Sequence, residues 1–166
     1  MINYSVIESI LHKMNDDIDV LAILDNQVAP KPSYPFITYK FLVPYIPQAT
    51  KPIVDKKLIA NTTDIRFDYD FEYTQQEQPT LSVSINIYSN DELEALEVAY
   101  KVKDWFRFEA YEYFNSKNIV IVETTAIQNR DTLIVNDQER RKGIDIILRV
   151  TDEAVRIIET IEEVEL

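Results

Sequence analysis

The chain is poor in the residues that most catalytic and cofactor sites require. It has no cysteine, one glycine (Gly143) and one histidine (His12) among 166 residues. Without cysteine there is no disulfide, thiolate metal site or cysteine nucleophile. Glycine-rich phosphate loops need several glycines, and a single histidine excludes multi-histidine metal sites and leaves little room for a Ser-His-Asp triad. The composition therefore predicts no catalytic residue, no metal and no cofactor.

Basic residues are also scarce. Lysine and arginine total 17 against 29 aspartates and glutamates, a formal net charge of −12. Nucleic acids and anionic membranes are bound through positive charge, so neither is an expected ligand. No apolar run approaches the roughly 20 residues that cross a bilayer, and the N-terminus lacks a secretory pattern. With 46% hydrophobic residues, residues 1–166 are expected to form one intracellular domain.

Two amphipathic helices are predicted. The first covers residues 3–15 and places four apolar residues on one face: Ile7, Ile10, Leu11 and Met14. The second is longer, from about residue 91 to 115, with Asn90 or Asp91 as its N-cap. Its apolar residues also recur at helical spacing: Leu96, Ala99, Val102, Phe106, Ala110 and Tyr113.

Alternation of apolar and polar residues predicts several strands. They are expected at residues 36–43, 64–73, 81–87, 119–122, 132–135 and 144–150, and the tail 154–166 favours a strand over a helix because it is rich in β-branched residues. The polar residues 74–78 suggest that the strands on either side of them form a hairpin packed on the long helix. The predicted fold class is α+β: a mostly antiparallel sheet with one long helix packed on it and a short N-terminal helix.

A proline-rich segment interrupts this pattern. Pro44, Pro47 and Pro52 indicate a long loop at residues 44–62, and long loops in compact domains are usually functional. The same segment adds local positive charge to an acidic chain through Lys51, Lys56 and Lys57. We expect this loop to leave the domain body and contact a neighbouring subunit or another protein.

Three carboxylates share one face of a predicted strand: Asp68, Asp70 and Glu72. Carboxylates this close can bind Mg²⁺ or act as acid and base. They are also what the outward side of a half-buried strand looks like, because every second residue points to solvent. The solvated interpretation is favoured, since no phosphate-binding element accompanies them.

Two further groups are candidate interface residues. Trp105 and Phe108 lie off the apolar line of the long helix, so they indicate either an exposed protein interface or a core that wraps the helix on two sides. Glu139, Arg140 and Arg141 form a charged turn before a strand. That turn is either solvated or, through arginine's planar fork, paired with carboxylates of a neighbouring subunit.

Two segments resemble signatures of a known family. The first is Asn26-Gln27 followed by residues 30–39, PKPSYPFITY, in which a proline-rich turn leads into a strand. The second is Glu139-Arg140-Arg141, followed by Ile144-Asp145 and then Arg149-Val150. Together with the order of the predicted elements, they resemble the tail-terminator, or neck, proteins of long-tailed bacteriophages.

The resemblance implies a structural virion protein that is assembled in the host cytoplasm. Such a protein forms a ring, expected to be a hexamer, that ends the tail tube and joins it to the head-side connector. DNA passes through the ring without specific binding, which suits a chain whose net negative charge repels phosphate. Two alternatives remain open: a carboxylate-dependent metal enzyme built on Asp68, Asp70 and Glu72, and a monomeric protein-binding module that uses the aromatic helix.

Overall fold

The computed structural model of the protein describes residues 4–25, 30–60, 69–134 and 137–158. Many more of the described residues lie in strands than in helices. The helical segments are α1 (Tyr4–Ile18), α2 (Glu92–Asp104), a π-helical turn (Trp105–Glu109) and α3 (Tyr111–Ser116). The strands are β1 (Ala22–Leu24), β2 (Phe36–Ile46), β3 (Ile53–Ile59), β4 (Asp70–Glu77), β5 (Thr80–Ser89), β6 (Val120–Thr124), β7 (Gln128–Asn129), β8 (Thr132–Ile134), β9 (Asp137–Arg149) and β10 (Asp152–Ile158).

The main sheet has the strand order β1-β2-β5-β9-β6, and the short strands β7 and β8 also pair with β9. Only β1 and β2 run parallel within this described order. The predicted alternation places one side chain in two toward the helices. Ile85 lies between Tyr39 and Ile144 in the sheet register, and all three side chains are buried in the core.

The helices cover one face of this sheet. The predicted apolar stripe of α1 is confirmed, because Ile7, Ile10, Leu11 and Met14 are all buried. Asp91 caps α2 as predicted, its carboxylate accepting a hydrogen bond from the Glu94 backbone N–H at 2.9 Å. The single long helix predicted for 91–115 is instead divided by the π-helical turn, where the Ala110 N–H donates to the Trp105 carbonyl oxygen.

The predicted α+β class and its hairpin were wrong. The protein is mostly β, with two sheets. β4 does not pair with β5; the two strands follow one another with only Gln78 and Pro79 between them. Alternation identifies a strand but not its partner, and residues 74–79 contain no glycine that would favour a tight hairpin turn. Instead, β4 lies between β10 and β3 in a second, three-stranded antiparallel sheet, which we call the arm.

The arm continues the three central strands of the main sheet. Thr80 is paired with Arg149 and Glu77 with Asp152, so β5 and β9 both pass into the arm across two-residue breaks. β2 reaches β3 through residues 47–52, on the other side of β4. The predicted loop 44–62 therefore contains the end of β2 and all of β3. Pro44 is tolerated in β2 because it falls where the register shifts, and a bulge needs no ladder N–H there.

Candidate assembly surfaces

One face of the arm combines apolar side chains with positive charge. Tyr73 lies between Lys56 and Arg156 in the register, with their charged ends 5.3 Å and 5.5 Å from the centre of its ring. Lys56 also lies 3.7 Å from the ring centre of Phe71, so both cations are placed by aromatic faces. We call this the basic arm face, formed by three rows of residues: Val54, Gln75 and Ala154; Lys56, Tyr73 and Arg156; Leu58, Phe71 and Ile158.

The opposite face of the arm is acidic. Its register rows hold Asp55, Asp70, Glu72 and Glu153 beside the single cation Lys57. Asp70 and Glu72 share this face, as the period of two predicted, but Asp70 is fully buried rather than solvated. Asp68 lies outside the described residues. Within the described part of the chain no group of three or more metal-ligating side chains occurs.

The arm exposes large apolar side chains that the rest of the described chain does not cover. Every residue of β3 before Ile59 is exposed, and so are the five central residues of β10. The exposed fractions are large for aliphatic side chains: Ile53 67%, Val54 60%, Leu58 57%, Val155 54% and Ile157 58%. Lys51, at the approach to the arm, is exposed as well. Exposed apolar surface of this kind marks sites of protein contact.

A second apolar and charged surface runs along the helical layer. Phe108, an interface candidate from the sequence, is 80% exposed, because the π-helical turn directs it away from the sheet. Residues three or four positions apart share a helix face. The exposed residues at this spacing form one line from α2 to α3. We call it the acidic helix stripe: Leu93, Glu97, Tyr100, Asp104, Phe108, Tyr111 and Glu112.

Trp105, the other aromatic candidate, is not available to a partner. Its side chain is fully buried, with its ring at 4.9 Å and 5.5 Å from the rings of Phe106 and Phe114. Its indole N–H donates to the Asp17 carboxylate at 2.8 Å. This hydrogen bond and a second one from Lys13 lower the pKa of Asp17. Trp105 therefore joins the helical layer together instead of forming an interface.

The charged segment at 139–141 is part of β9 and not the predicted turn. Glu139 accepts hydrogen bonds from Lys31 and from the Tyr34 hydroxyl. Burial and the hydrogen bond to Glu139 raise the pKa of Tyr34. Burial alone would lower the pKa of Lys31, but its hydrogen bonds to Glu139 and Tyr34 outweigh that effect and raise it. Glu139 thus fastens the proline-rich turn that precedes β2, at residues 31–34, to the main sheet.

The two arginines of this segment also have partners within the chain. Arg140 lies 3.6 Å from the Glu92 carboxylate and 3.8 Å from that of Asp131. The guanidinium of Arg141 lies 5.2 Å from the ring centre of Tyr88. The carboxylates of the arm are not among these contacts. Within one protomer, both arginines stabilise β9 and the residues packed beside it.

Two polar networks were not predicted from the sequence, because neither has a local motif. Lys142 is 1% exposed, and its ammonium lies 2.6 Å from Glu92. On the opposite face of the sheet, Arg130 forms a 2.9 Å ion pair with Asp145 and donates to Ser84 and Asn86. The isolated Gly143 is the one sequence feature that could have indicated the Arg130 network. A Cβ at Gly143 would lie 2.2 Å from the Arg130 side chain, so only glycine lets that arginine cross the strand.

A cleft lies at the other edge of the main sheet, between the helical layer and β6. Its volume is about 610 Å³, and Lys103, Arg107 and Phe114 line it together with the residues of β6. Val122 of β6 is 51% exposed beside it. The cleft therefore offers a further contact surface of apolar and basic character, well separated in the strand order from β2.

The sequence profile of a family described as phage neck terminator protein matches residues 5–166. The chain belongs to this family. No curated protein matches the chain. The match covers both segments whose resemblance suggested tail terminators, so that prediction is confirmed.

As a phage neck terminator protein, the chain is a structural protein of the virion rather than a member of an enzyme family. Its place in the neck implies contacts with other tail or head proteins of the phage. None of the described helices is long and apolar enough to cross a membrane. Surfaces for protein contact are thus the relevant sites, and the arm and the acidic helix stripe are the most exposed of those described above.

Proposed function

We propose that this neck protein forms a ring of identical subunits, a hexamer, that ends the tail tube and joins it to the head-side connector. The observation that carries the proposal is the arm. It extends the central strands of the main sheet, yet five of its aliphatic side chains are more than half exposed. Such a surface is costly to leave in water and is best explained by contact with another protein chain.

A ring also suits the different character of the basic arm face and the acidic helix stripe. Contact between two unlike surfaces of the same chain is heterologous, and heterologous contacts close into rings when the rotation permits. Two identical surfaces would instead produce a two-fold dimer. The described chain offers unlike surfaces, one basic and apolar and the other acidic and apolar.

The charge of the chain supports a channel through which DNA passes. Each subunit carries a formal charge of −12, and identical charges add around a narrow opening. Such a ring repels the phosphate backbone and leaves DNA free to slide. The exposed arm carboxylates Asp55 and Glu153 are candidates for this lining. The alternative is that arm carboxylates pair with Arg140 and Arg141 of a neighbouring subunit, but both arginines already have partners in their own subunit.

The direct test is to remove the protein during phage assembly and examine the particles by electron microscopy. A protein that ends the tube and joins it to the head should be needed for both steps. We expect tails of irregular length and heads without attached tails, with both defects reversed when the intact chain is supplied. Tails of uniform length joined normally to heads would contradict the proposal.

A further inference from the structure

The basic face of the arm and the helical layer carry opposite charge, although they belong to the same acidic chain. The three rows of the basic arm face contain Lys56 and Arg156 and no carboxylate. The nearest acids on that side, Glu77 and Asp152, form the next row toward the main sheet. From the N-cap of α2 to the end of α3, the exposed charges of the helical layer are mostly negative: Asp91, Glu92, Glu97, Asp104, Glu109 and Glu112 against Lys101 and Arg107.

The two surfaces also match in their apolar content. Leu58 on the basic arm face is 57% exposed, and it lies next to the aromatic side chains that hold the cations. On the acidic helix stripe, Phe108 is 80% and Leu93 68% exposed. Each surface thus places ionised groups among large apolar side chains. Apolar centres with complementary charges around them are typical of specific protein interfaces.

The dimensions are compatible with docking. Val54 to Leu58 spans about 13 Å along the strand, and three strands span about 10 Å across. The acidic helix stripe, from Leu93 to Tyr111, extends for about 27 Å at the helical rise. The basic arm face therefore fits on part of the stripe, and several acids fall within reach of its two cations.

We propose that the basic arm face of one copy docks on the acidic helix stripe of a second copy, with Lys56 and Arg156 facing Glu97, Asp104 and Glu112. The occupant is a second copy because the complementary surface is present on the same chain. The proposal rests on the proposed ring function and names the contact that would build the ring. Every subunit supplies one arm and one stripe, so the contact passes from copy to copy around the ring.

Charge-reversed variants test this contact, with native mass spectrometry as the measurement. The arm variant carries Lys56→Glu and Arg156→Glu; the stripe variant carries Glu97→Lys and Asp104→Lys. In each variant the two docking surfaces acquire like charge, and we expect association to weaken by more than about a hundredfold. The control matched to the arm variant, Lys13→Glu with Lys117→Glu, makes the same charge change outside both surfaces and should assemble as the intact chain does.

Mixing the two variants gives the decisive result. An arm with reversed charge attracts a stripe with reversed charge, and the two unaltered surfaces in the mixture attract each other. We expect an equimolar mixture to form rings that contain equal numbers of both variants. A single chain with all four substitutions should also form rings. This rescue shows that both variants are folded and that the two surfaces meet.

The contrary outcomes are also specific. A stripe variant that assembles normally while the arm variant does not would overturn the proposal and direct attention to the cleft beside β6. Rings formed by both variants would overturn the contact but leave the proposed ring function intact. An intact chain that stays monomeric at every soluble concentration would overturn the contact as well. If the arm variant misfolds by circular dichroism, Lys56→Gln with Arg156→Gln is the substitute, and normal rings from that variant would count against the contact.

Discussion

The indole N–H of Trp105 donates a 2.8 Å hydrogen bond to the carboxylate of Asp17. The bond joins the π-helical turn to the last turn of α1, two segments far apart in sequence. Trp105 is fully buried, whereas Asp17 is near the surface and also pairs with Lys13 at 2.9 Å. An aromatic residue that the sequence offered as an interface residue is therefore part of the core, held there by an acid that the sequence did not single out.

Replacing Asp17 tests this bond. Asp17→Ala leaves the buried indole N–H without its acceptor, which should lower the free energy of unfolding by about 1–3 kcal/mol. Asp17→Asn keeps an acceptor oxygen and is the matched control with a smaller loss. Denaturant unfolding measures both. Equal stability of the alanine variant and the original chain would show that the hydrogen bond contributes nothing.

The same pair predicts a pH dependence. The hydrogen bonds from Trp105 and Lys13 lower the pKa of Asp17 below its ordinary value of 3.8. A group whose pKa is lower in the folded chain stabilises the fold above its unfolded pKa, and loses that contribution as the pH falls through the folded value. Below about pH 3.8, the intact chain should therefore lose stability that Asp17→Asn does not lose. Parallel pH profiles of the two proteins would contradict this assignment.

Gly143 and Arg130 should behave as one unit. A Cβ at position 143 collides with the Arg130 side chain, which must then release Asp145, Ser84 and Asn86. We expect Gly143→Ala and Arg130→Ala each to destabilise the protein and the double variant to cost less than their sum. A double-mutant cycle on unfolding free energies should give a coupling of about 0.5–3 kcal/mol. Simple additivity would mean that the glycine serves another purpose.

Core and arm residues should respond differently to the same kind of truncation. Ile85 is fully buried at the centre of the main sheet, so Ile85→Ala should cost about 2–5 kcal/mol of unfolding free energy. Leu58 is 57% exposed on the basic arm face, so Leu58→Ala should change stability by no more than about 0.5 kcal/mol. Leu58→Ala should nevertheless weaken self-association, measured by sedimentation. A large loss of stability without loss of association would assign the arm to the fold of a single subunit.

Salt should weaken the proposed contact between copies. Its charged groups are exposed before association, and the Debye length falls from about 10 Å at 0.1 M to about 3 Å at 1 M ionic strength. We expect the dissociation constant of the intact chain to rise with salt and that of the Lys56→Gln, Arg156→Gln variant to change much less. A dissociation constant independent of salt would leave only the apolar part of the contact.

The sequence predicted the elements of the main sheet better than their connections. Ile7, Ile10 and Met14 are buried because helical spacing alone decides which face of α1 is apolar. Alternation likewise located β5 correctly. It gave no partner for β4, however, because a strand with one apolar face looks the same whether it packs on a helix or lies in the arm. That ambiguity produced both the wrong hairpin and the wrong fold class.

The candidate site was predicted only in part, for similar reasons. Phe108 and Lys56 are exposed, which keeps both as interface candidates. Trp105 and Asp70 are buried, and for Trp105 the reason is the π-helical turn, which shifts the helical phase. The proline rule overstated the loop at 44–62, because bulges accommodate Pro44 within β2. The proposed pairing of opposite charges across the two surfaces depends on three-dimensional register, which the linear sequence does not contain.

A cryo-electron microscopy reconstruction of the head–tail junction tests the central claim most directly. The account predicts a ring of copies at the end of the tail tube, with the arm of each subunit lying on α2 of the next and Lys56 and Arg156 close to Glu97 and Asp104. The count of subunits would be read from the same map. A junction in which this chain is a single copy, or a ring whose arms contact no neighbouring protein, would contradict it.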